Sequence, residues 1–204
     1  MQELGFYFSP GSRYSYLALS QVPLIEKDFG IQFDWIPIVG ERIREIRGAD
    51  PFMGEPQSGQ YDWEYRRKDA ETWADFYHIP FQEPKSHKMD TNLLGRAVLI
   101  AKKLKAEREY SWELASEIFA RGTWPVDEVV IVNTAKKQNL DPEVFKQGIN
   151  SDHYFKEIEA ICQAAVNRGI FGSPAFFVGD KMFWGNDRIP LLKQELSRIM
   201  QGNI

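Results

Sequence analysis

The sequence predicts an α/β chain in which two sheet-forming pieces flank a long helical stretch. Three observations carry this expectation. A strand, a helix and a second strand follow one another before residue 40. From about 40 to 150 strand patterning almost disappears while helical periodicity persists. The last quarter returns to mixed structure, with a hairpin signal and a closing helix.

Gly5–Phe8 reads as the start of the first strand. Gly11 or Ser12 caps a helix reaching about Phe29, with Tyr16, Leu17, Leu19, Val22 and Ile25 on its buried side. Pro23 is expected to kink or restart that helix, and Gly30 to stop it. Ile31–Val39, with apolar Phe33, Trp35 and Ile38, reads as a second strand. A strand–helix–strand unit this short pairs its strands in parallel.

The middle of the chain reads differently. Residues 48–62 are rich in Gly, Pro and polar residues and read as a loop. Helical runs follow at about 64–77, 90–108, 111–121, 125–138 and 141–149. Pro80 and Pro84 separate the first two, and Asp90 or Thr91 caps the second. Asp141 followed by Pro142 and Glu143 is a strong helix start, because proline in the first turn has no N–H to waste.

A helix over about 152–167 opens the last quarter. Gly169 and Gly172 flank a loop, and Ala175–Val178 is a strand. Gly179-Asp180 is a two-residue hairpin signal, with Lys181–Trp184 as the return strand. Asn186 or Asp187 caps a last helix to about Met200. The order β-α-β, helical insert, α-β-β-α predicts a thioredoxin-like sheet built from 1–40 plus 151–204. The insert, 41–150, is expected as a separate helical lobe, with a cleft between the two lobes.

Composition narrows the function. The chain has 204 residues, 43% hydrophobic, enough for a real core. A net charge of −4 argues against nucleic acid as a partner. Lys102, Lys103 and Lys105 are diluted by Glu107 and Glu109 and read as a solvated helix face. The one cysteine, Cys162, sits in an apolar helical context and reads as a buried structural thiol. MQELGFYF carries no charged leader, and no stretch reaches the roughly 18 apolar residues of a membrane span. A cytoplasmic setting without membrane contact is the expectation. His78, His87 and His153 form no metal-binding spacing, so no metal is expected.

Three segments carry possible chemistry. Ser12 stands where the first strand meets the first helix, three residues before Ser15. It reads equally as a plain N-cap or as a hydroxyl donor beside a bound anion at the helix N-terminus. Phe171-Gly172-Ser173-Pro174 precedes a strand; it is either an ordinary turn or a cis-proline that exposes the preceding backbone to a ligand. Phe183–Arg188, with Asn186 and Asp187, is a hairpin end and helix cap that also suits an amino-acid zwitterion. Phe8, Tyr14, Trp35, Trp63 and Trp184 are candidate cleft walls.

Together, in this order, the three segments resemble the 2-hydroxychromene-2-carboxylate isomerase family. That group is glutathione-dependent and related to kappa-class glutathione transferases and DsbA-like thioredoxin-fold proteins. The family opening looks like SPxSYLA, and here it reads Ser12-Arg13-Tyr14-Ser15-Tyr16-Leu17-Ala18. The closing FGxPxFxxxxxxFWGNDR matches Phe171–Arg188. Trp73–Pro80 and Met89–Asn92 resemble segments of the family's helical lobe.

The resemblance implies that Ser12 and Ser15 occupy the two cysteine positions of a CxxC protein and that glutathione brings the thiol. Ser12 is then the catalytic residue, holding the sulfur as thiolate. Ser173, Pro174, Asn186 and Asp187 bind the rest of glutathione; apart from the resemblance, Tyr14, Trp184 and Arg13, unless Arg13 simply points to solvent, are candidate contacts to a small aromatic carboxylate. The implied reaction is reversible thiolate addition, ring opening and cis/trans isomerisation in aromatic-compound degradation, by a homodimer. The chain departs from the pattern at three places, one being that 48–62 holds no Asn where the family usually has one that contacts glutathione. Arg13 replaces the usual proline, and Asp62 falls near a position usually held by lysine, with Arg66 and Arg67 one turn on. A kappa-like glutathione transferase and a non-catalytic or other-thiol binding protein on the same fold are the competing readings. A disulfide oxidoreductase is disfavoured because CxxC is missing.

Overall fold

The computed structural model describes residues 3–48, 62–84 and 89–202. Most of the loop expected at 48–62, and His87, lie outside the described residues.

Strand β1 (Leu4–Phe8) leads into helix α1 (Arg13–Phe29) and strand β2 (Asp34–Pro37). Six helices follow: α2 (Gly40–Arg47), α3 (Trp63–Tyr77), α4 (Thr91–Lys103), α5 (Glu107–Phe119), α6 (Glu128–Lys137) and α7 (Pro142–Ile149). Helix α8 (Asp152–Asn167) returns the chain to β3 (Ala175–Val178) and β4 (Lys181–Trp184). A 3-10 turn at Asn186–Arg188 then runs into α9 (Ile189–Met200).

The four strands form one sheet in the order β2-β1-β3-β4. β1 and β2 run parallel, and β3 is antiparallel to both β1 and β4. This is the expected thioredoxin-like arrangement. Alternation along β1 separates two apolar layers, because neighbouring side chains leave a strand on opposite faces. Phe6 and Phe8 face one layer, where Phe6 stacks on Phe176 at 5.0 Å and meets Trp35 edge-on at 5.2 Å. Tyr7 faces the other, with Phe177, Ile43, Ile158 and Cys162. The first layer continues without a break into the inserted helices through Leu94, Tyr110, Ile131 and Phe145.

Several boundaries differ from the sequence expectation, each for a local reason. α1 continues through Pro23 without restarting, and Gly30 closes it in the left-handed region at φ 61°. α2 has no counterpart among the expected helices. It buries fully only Ile43 and starts without a side-chain cap, so it carries neither an apolar stripe nor a start signal. The run expected at 90–108 breaks at Leu104–Ala106, where Lys105 turns left-handed at φ 57°. Lys103 and Lys105 are exposed there, and Lys102 pairs with Asp34 and Lys103 with Glu157. Phe8 and Trp35, expected as cleft walls, are core residues. Neither Asn186 nor Asp187 caps α9; both lie within the 3-10 turn, and α9 opens at Ile189-Pro190.

Candidate active site

Ser12 takes extended backbone dihedrals and caps α1, its Oγ accepting the N–H of Ser15 at 3.3 Å. The Ser12 N–H is itself committed to the Ser9 carbonyl at 2.9 Å. Ser15 has a different task. It is fully buried, and its Oγ accepts the N–H of Ser9 at 3.2 Å. Ser15 thus stitches the β1–α1 turn together, while half-buried Ser12 keeps its hydroxyl proton for an outside acceptor. The first turn of this 17-residue helix contains no acidic residue, so nothing on it offsets the positive end of the helix dipole.

Topology brings the other two segments to the same end of the sheet. Tyr7 pairs with Ala175 across the antiparallel β1–β3 ladder, so β3 begins beside the point where β1 ends. Ser173, joined to Pro174 by a cis peptide bond, lies just before that ladder. The N–H of Gly185 donates to the Pro174 carbonyl at 2.9 Å, which holds the end of β4 against the same corner. The 3-10 turn packs on α1.

Within that turn Asn186 is buried, and its Nδ2 finds no hydrogen-bond partner among the described residues. Its carbonyl accepts from the Tyr77 hydroxyl at 3.4 Å, tying α3 to the turn. Burial pushes the Tyr77 phenol up. Asp187 is half exposed, with Arg188 Nε at 3.6 Å. Its carboxylate folds back over Gly185, where a Cβ would stand 2.2 Å from Oδ1; φ is 111° there, so only glycine suits the position. Half-buried Trp184 lies against Phe171 with ring centroids 4.9 Å apart.

The two residues after Ser12 turn toward α3. Tyr14 donates its hydroxyl to Asp69 at 2.9 Å, and burial together with that bond pushes the phenol up to about 12. It is a neutral donor at physiological pH, not a base. Arg13 does not point to solvent. It is buried, lies over the Trp63 ring at 3.8 Å, and places Nε 3.0 Å from the equally buried Glu83. Burial lowers the Arg13 guanidinium and raises the Glu83 carboxyl. Asp62 serves as the N-cap of α3, accepting the Tyr65 N–H at 2.9 Å.

Sequence reasoning missed Glu83, Asp69 and Tyr77. Tyr77 falls inside the matched segment Trp73–Pro80 without a role of its own, Asp69 is an ordinary helix-face residue, and Glu83 lies between two prolines where no local pattern marks it. Only the fold brings them to the α1 terminus. Among the described residues no group of three His, Cys, Asp or Glu side chains is placed to hold a metal ion, and no helix is long and apolar enough to cross a membrane.

Compared with known proteins, residues 3–197 match the DSBA-like thioredoxin domain. The chain belongs to that family. Within it, the chain is similar to 2-hydroxychromene-2-carboxylate isomerase of Pseudomonas putida, 26% identical over 198 residues, covering 97% of this chain and 96% of that one. The isomerase of Sphingobium xenophagum is 29% identical over 196 residues, covering 95% and 97%. Among solved structures, a 2-hydroxychromene-2-carboxylate isomerase aligns over 98% of this chain and 97% of its own, with TM-score 0.86 and 24% identity. The cytosolic disulfide reductase DsbM of Pseudomonas aeruginosa, in a structure with GSH, aligns over 98% of each chain with TM-score 0.66 and 13% identity.

This DSBA-like chain has no thiol at the α1 terminus. Its one cysteine, Cys162, is buried on the far layer of the sheet, and its Sγ accepts the Val39 N–H at 3.4 Å. Burial pushes that thiol up to about 11, far from the thiolate form that exchange chemistry needs.

Proposed function

We propose that the protein is a glutathione-dependent isomerase of 2-hydroxychromene-2-carboxylate or a closely related aromatic carboxylate, acting in aromatic-compound degradation. The observation that carries this reading is the division of labour between the two serines. Ser15 is locked into the turn, whereas Ser12 offers a hydroxyl at a helix N-terminus bare of acidic residues. The named activity of the relatives supports the same reaction class.

The residues present fit glutathione. Asn186 presents a buried amide donor without a partner, and Asp187 beside it keeps a carboxylate for an α-amino group. Ser173 precedes the β3 ladder at a cis bond to Pro174, and its backbone pairs with the peptide of glutathione in this reading. When bound, glutathione supplies the nucleophilic thiolate that the chain lacks. Ser12 donates its hydroxyl hydrogen to the sulfur, and the α1 dipole lowers the cost of negative charge there. Asn186 and Asp187 hold the γ-glutamyl end.

The test is a glutathione titration by calorimetry, with thiolate absorbance followed against pH, for wild type and Ser12→Ala. Wild type is expected to bind glutathione and lower its thiol pKa. Ser12→Ala is expected to bind but to lose that shift, and with it the glutathione-dependent conversion of 2-hydroxychromene-2-carboxylate. Conversion that proceeds equally without glutathione would overturn the reading.

A further inference from the structure

Arg13 is the residue at which the chain departs from the opening pattern it otherwise resembles. It is the first residue of α1 and follows Ser12 directly. A guanidinium has five N–H donors in a rigid fork, and a structural ion pair normally uses two of them side by side on one carboxylate. Arg13 departs from that habit. It meets Glu83 through Nε, while Nη1 and Nη2 are both buried and, among the described residues, both without a hydrogen-bond partner. Glu83 Oε2 is buried and unpartnered as well.

The setting is only 4% exposed, so these unmet donors have no bulk water to turn to. Burial also raises the Glu83 carboxyl, which weakens it as an anionic partner for Arg13. Trp63 covers the guanidinium plane and is itself 40% exposed, so the fork lies directly under a side chain that solvent reaches. An arginine stacked on an indole and left with its end-on edge unpaired is a receptor for a planar anion.

We infer that Arg13, backed by Trp63, receives the carboxylate of the aromatic substrate. The inference rests on the isomerase reading. It sets the anionic end of the substrate one residue from the hydroxyl that faces the sulfur, and it leaves the glutathione residues Asn186 and Asp187 for the other ligand. The aromatic surroundings, Trp63 and Tyr14, favour a flat carboxylate over the flexible glycyl end of glutathione.

The experiment is calorimetry with three probes: chromone-2-carboxylate as an unreactive flat carboxylate, neutral chromone, and glutathione. Three proteins are compared: wild type, Glu83→Gln, and the double variant Arg13→Gln with Glu83→Gln. The double variant removes both members of the buried pair, so no lone charge is left to unfold the site. The double variant is expected to weaken chromone-2-carboxylate by about tenfold or more while leaving chromone and glutathione unchanged. Glu83→Gln, which removes the competing anion, is expected to tighten chromone-2-carboxylate and leave chromone alone. Wild-type affinity for chromone-2-carboxylate in the double variant, or no binding by wild type, overturns the assignment. Loss of glutathione binding instead gives Arg13 to the glycyl carboxylate and also overturns it. Failure of wild type to bind glutathione sinks the isomerase reading, and the chromone pair still reads Arg13 separately.

Discussion

The Ser12 hydroxyl accepts the Ser15 N–H at 3.3 Å, and the Ser15 hydroxyl accepts the Ser9 N–H at 3.2 Å. The first bond leaves a hydroxyl at the surface of the site; the second buries one. The two serines are therefore predicted to fail differently. Ser15→Ala strands a buried backbone N–H and is expected to lower stability by about 1–3 kcal/mol in urea titrations, with glutathione affinity retained. Ser12→Ala loses only a cap and is expected to cost about 1 kcal/mol while abolishing the shift in the glutathione thiol pKa. Equal loss of stability in both variants, with the thiol pKa unmoved in either, contradicts the division.

Asn186 gives the cleanest separation of binding from stability. It is 2% exposed, yet its Nδ2 has no partner to lose. Asn186→Ala is expected to change unfolding free energy by less than about 1 kcal/mol, because deleting an unmet buried donor removes a penalty along with the contacts. The same variant is expected to weaken glutathione about tenfold. Asp187→Asn, at a half-exposed carboxylate, is expected to weaken it less, with a loss that shrinks as salt is added. Calorimetry at low and high ionic strength distinguishes the two; full glutathione affinity in Asn186→Ala removes that residue from the binding set.

The sheet and its flanking elements were legible because their signals are local. Gly179-Asp180 between two short apolar runs marks the hairpin, and Asp141-Pro142 marks the start of α7. α2 was not legible, because a helix resting on Ile43 leaves almost no periodic trace and its stability comes from packing against α8. The start of α9 was misplaced for a related reason. Asn and Asp are good caps, but here one turn of 3-10 helix carries them inward, and Pro190 begins the helix beyond. At the site, Ser12, Ser173 and Asn186 lie inside matched sequence patterns. The partner of Arg13 is seventy residues away between two prolines, and only tertiary structure brings Glu83 to it.

The junction of α4 and α7 is packed to its limit. A Cβ on Gly148 would stand 2.5 Å from Ile100 Cδ1 and 2.9 Å from its Cγ1, with Tyr154 at 3.2 Å on another side. Ile100 is fully buried. Gly148→Ala gains helix propensity of about 1 kcal/mol, and overpacking opposes it with about 1–3 kcal/mol. A net loss is expected, read as a lower urea midpoint at unchanged slope. Gly148→Ala combined with Ile100→Val is expected to recover part of it, since the shorter side chain withdraws the clashing methyl. A stabilised Gly148→Ala protein contradicts the close packing.

Acid sensitivity is predicted to originate away from the site, at Glu117 on α5. Burial pushes this carboxyl up, but hydrogen bonds from Lys137, Arg121 and Thr123 prevail and hold it at about 2. Its folded-state pKa is thus below the ordinary carboxylate value of 4.5. A depressed carboxylate stabilises the fold above its unfolded pKa, and that contribution fades as pH falls from about 4.5 toward 2. Removing the charge leaves Lys137 and Arg121 sharing Glu113 where they had shared two carboxylates. Glu117→Gln is therefore expected to be less stable than wild type at neutral pH. The gap should close progressively between pH 5 and 2, where wild type loses the same interaction. Thermal melts of both proteins across that window measure the difference directly. A gap that stays constant with pH would assign the loss to packing and not to the carboxylate's charge.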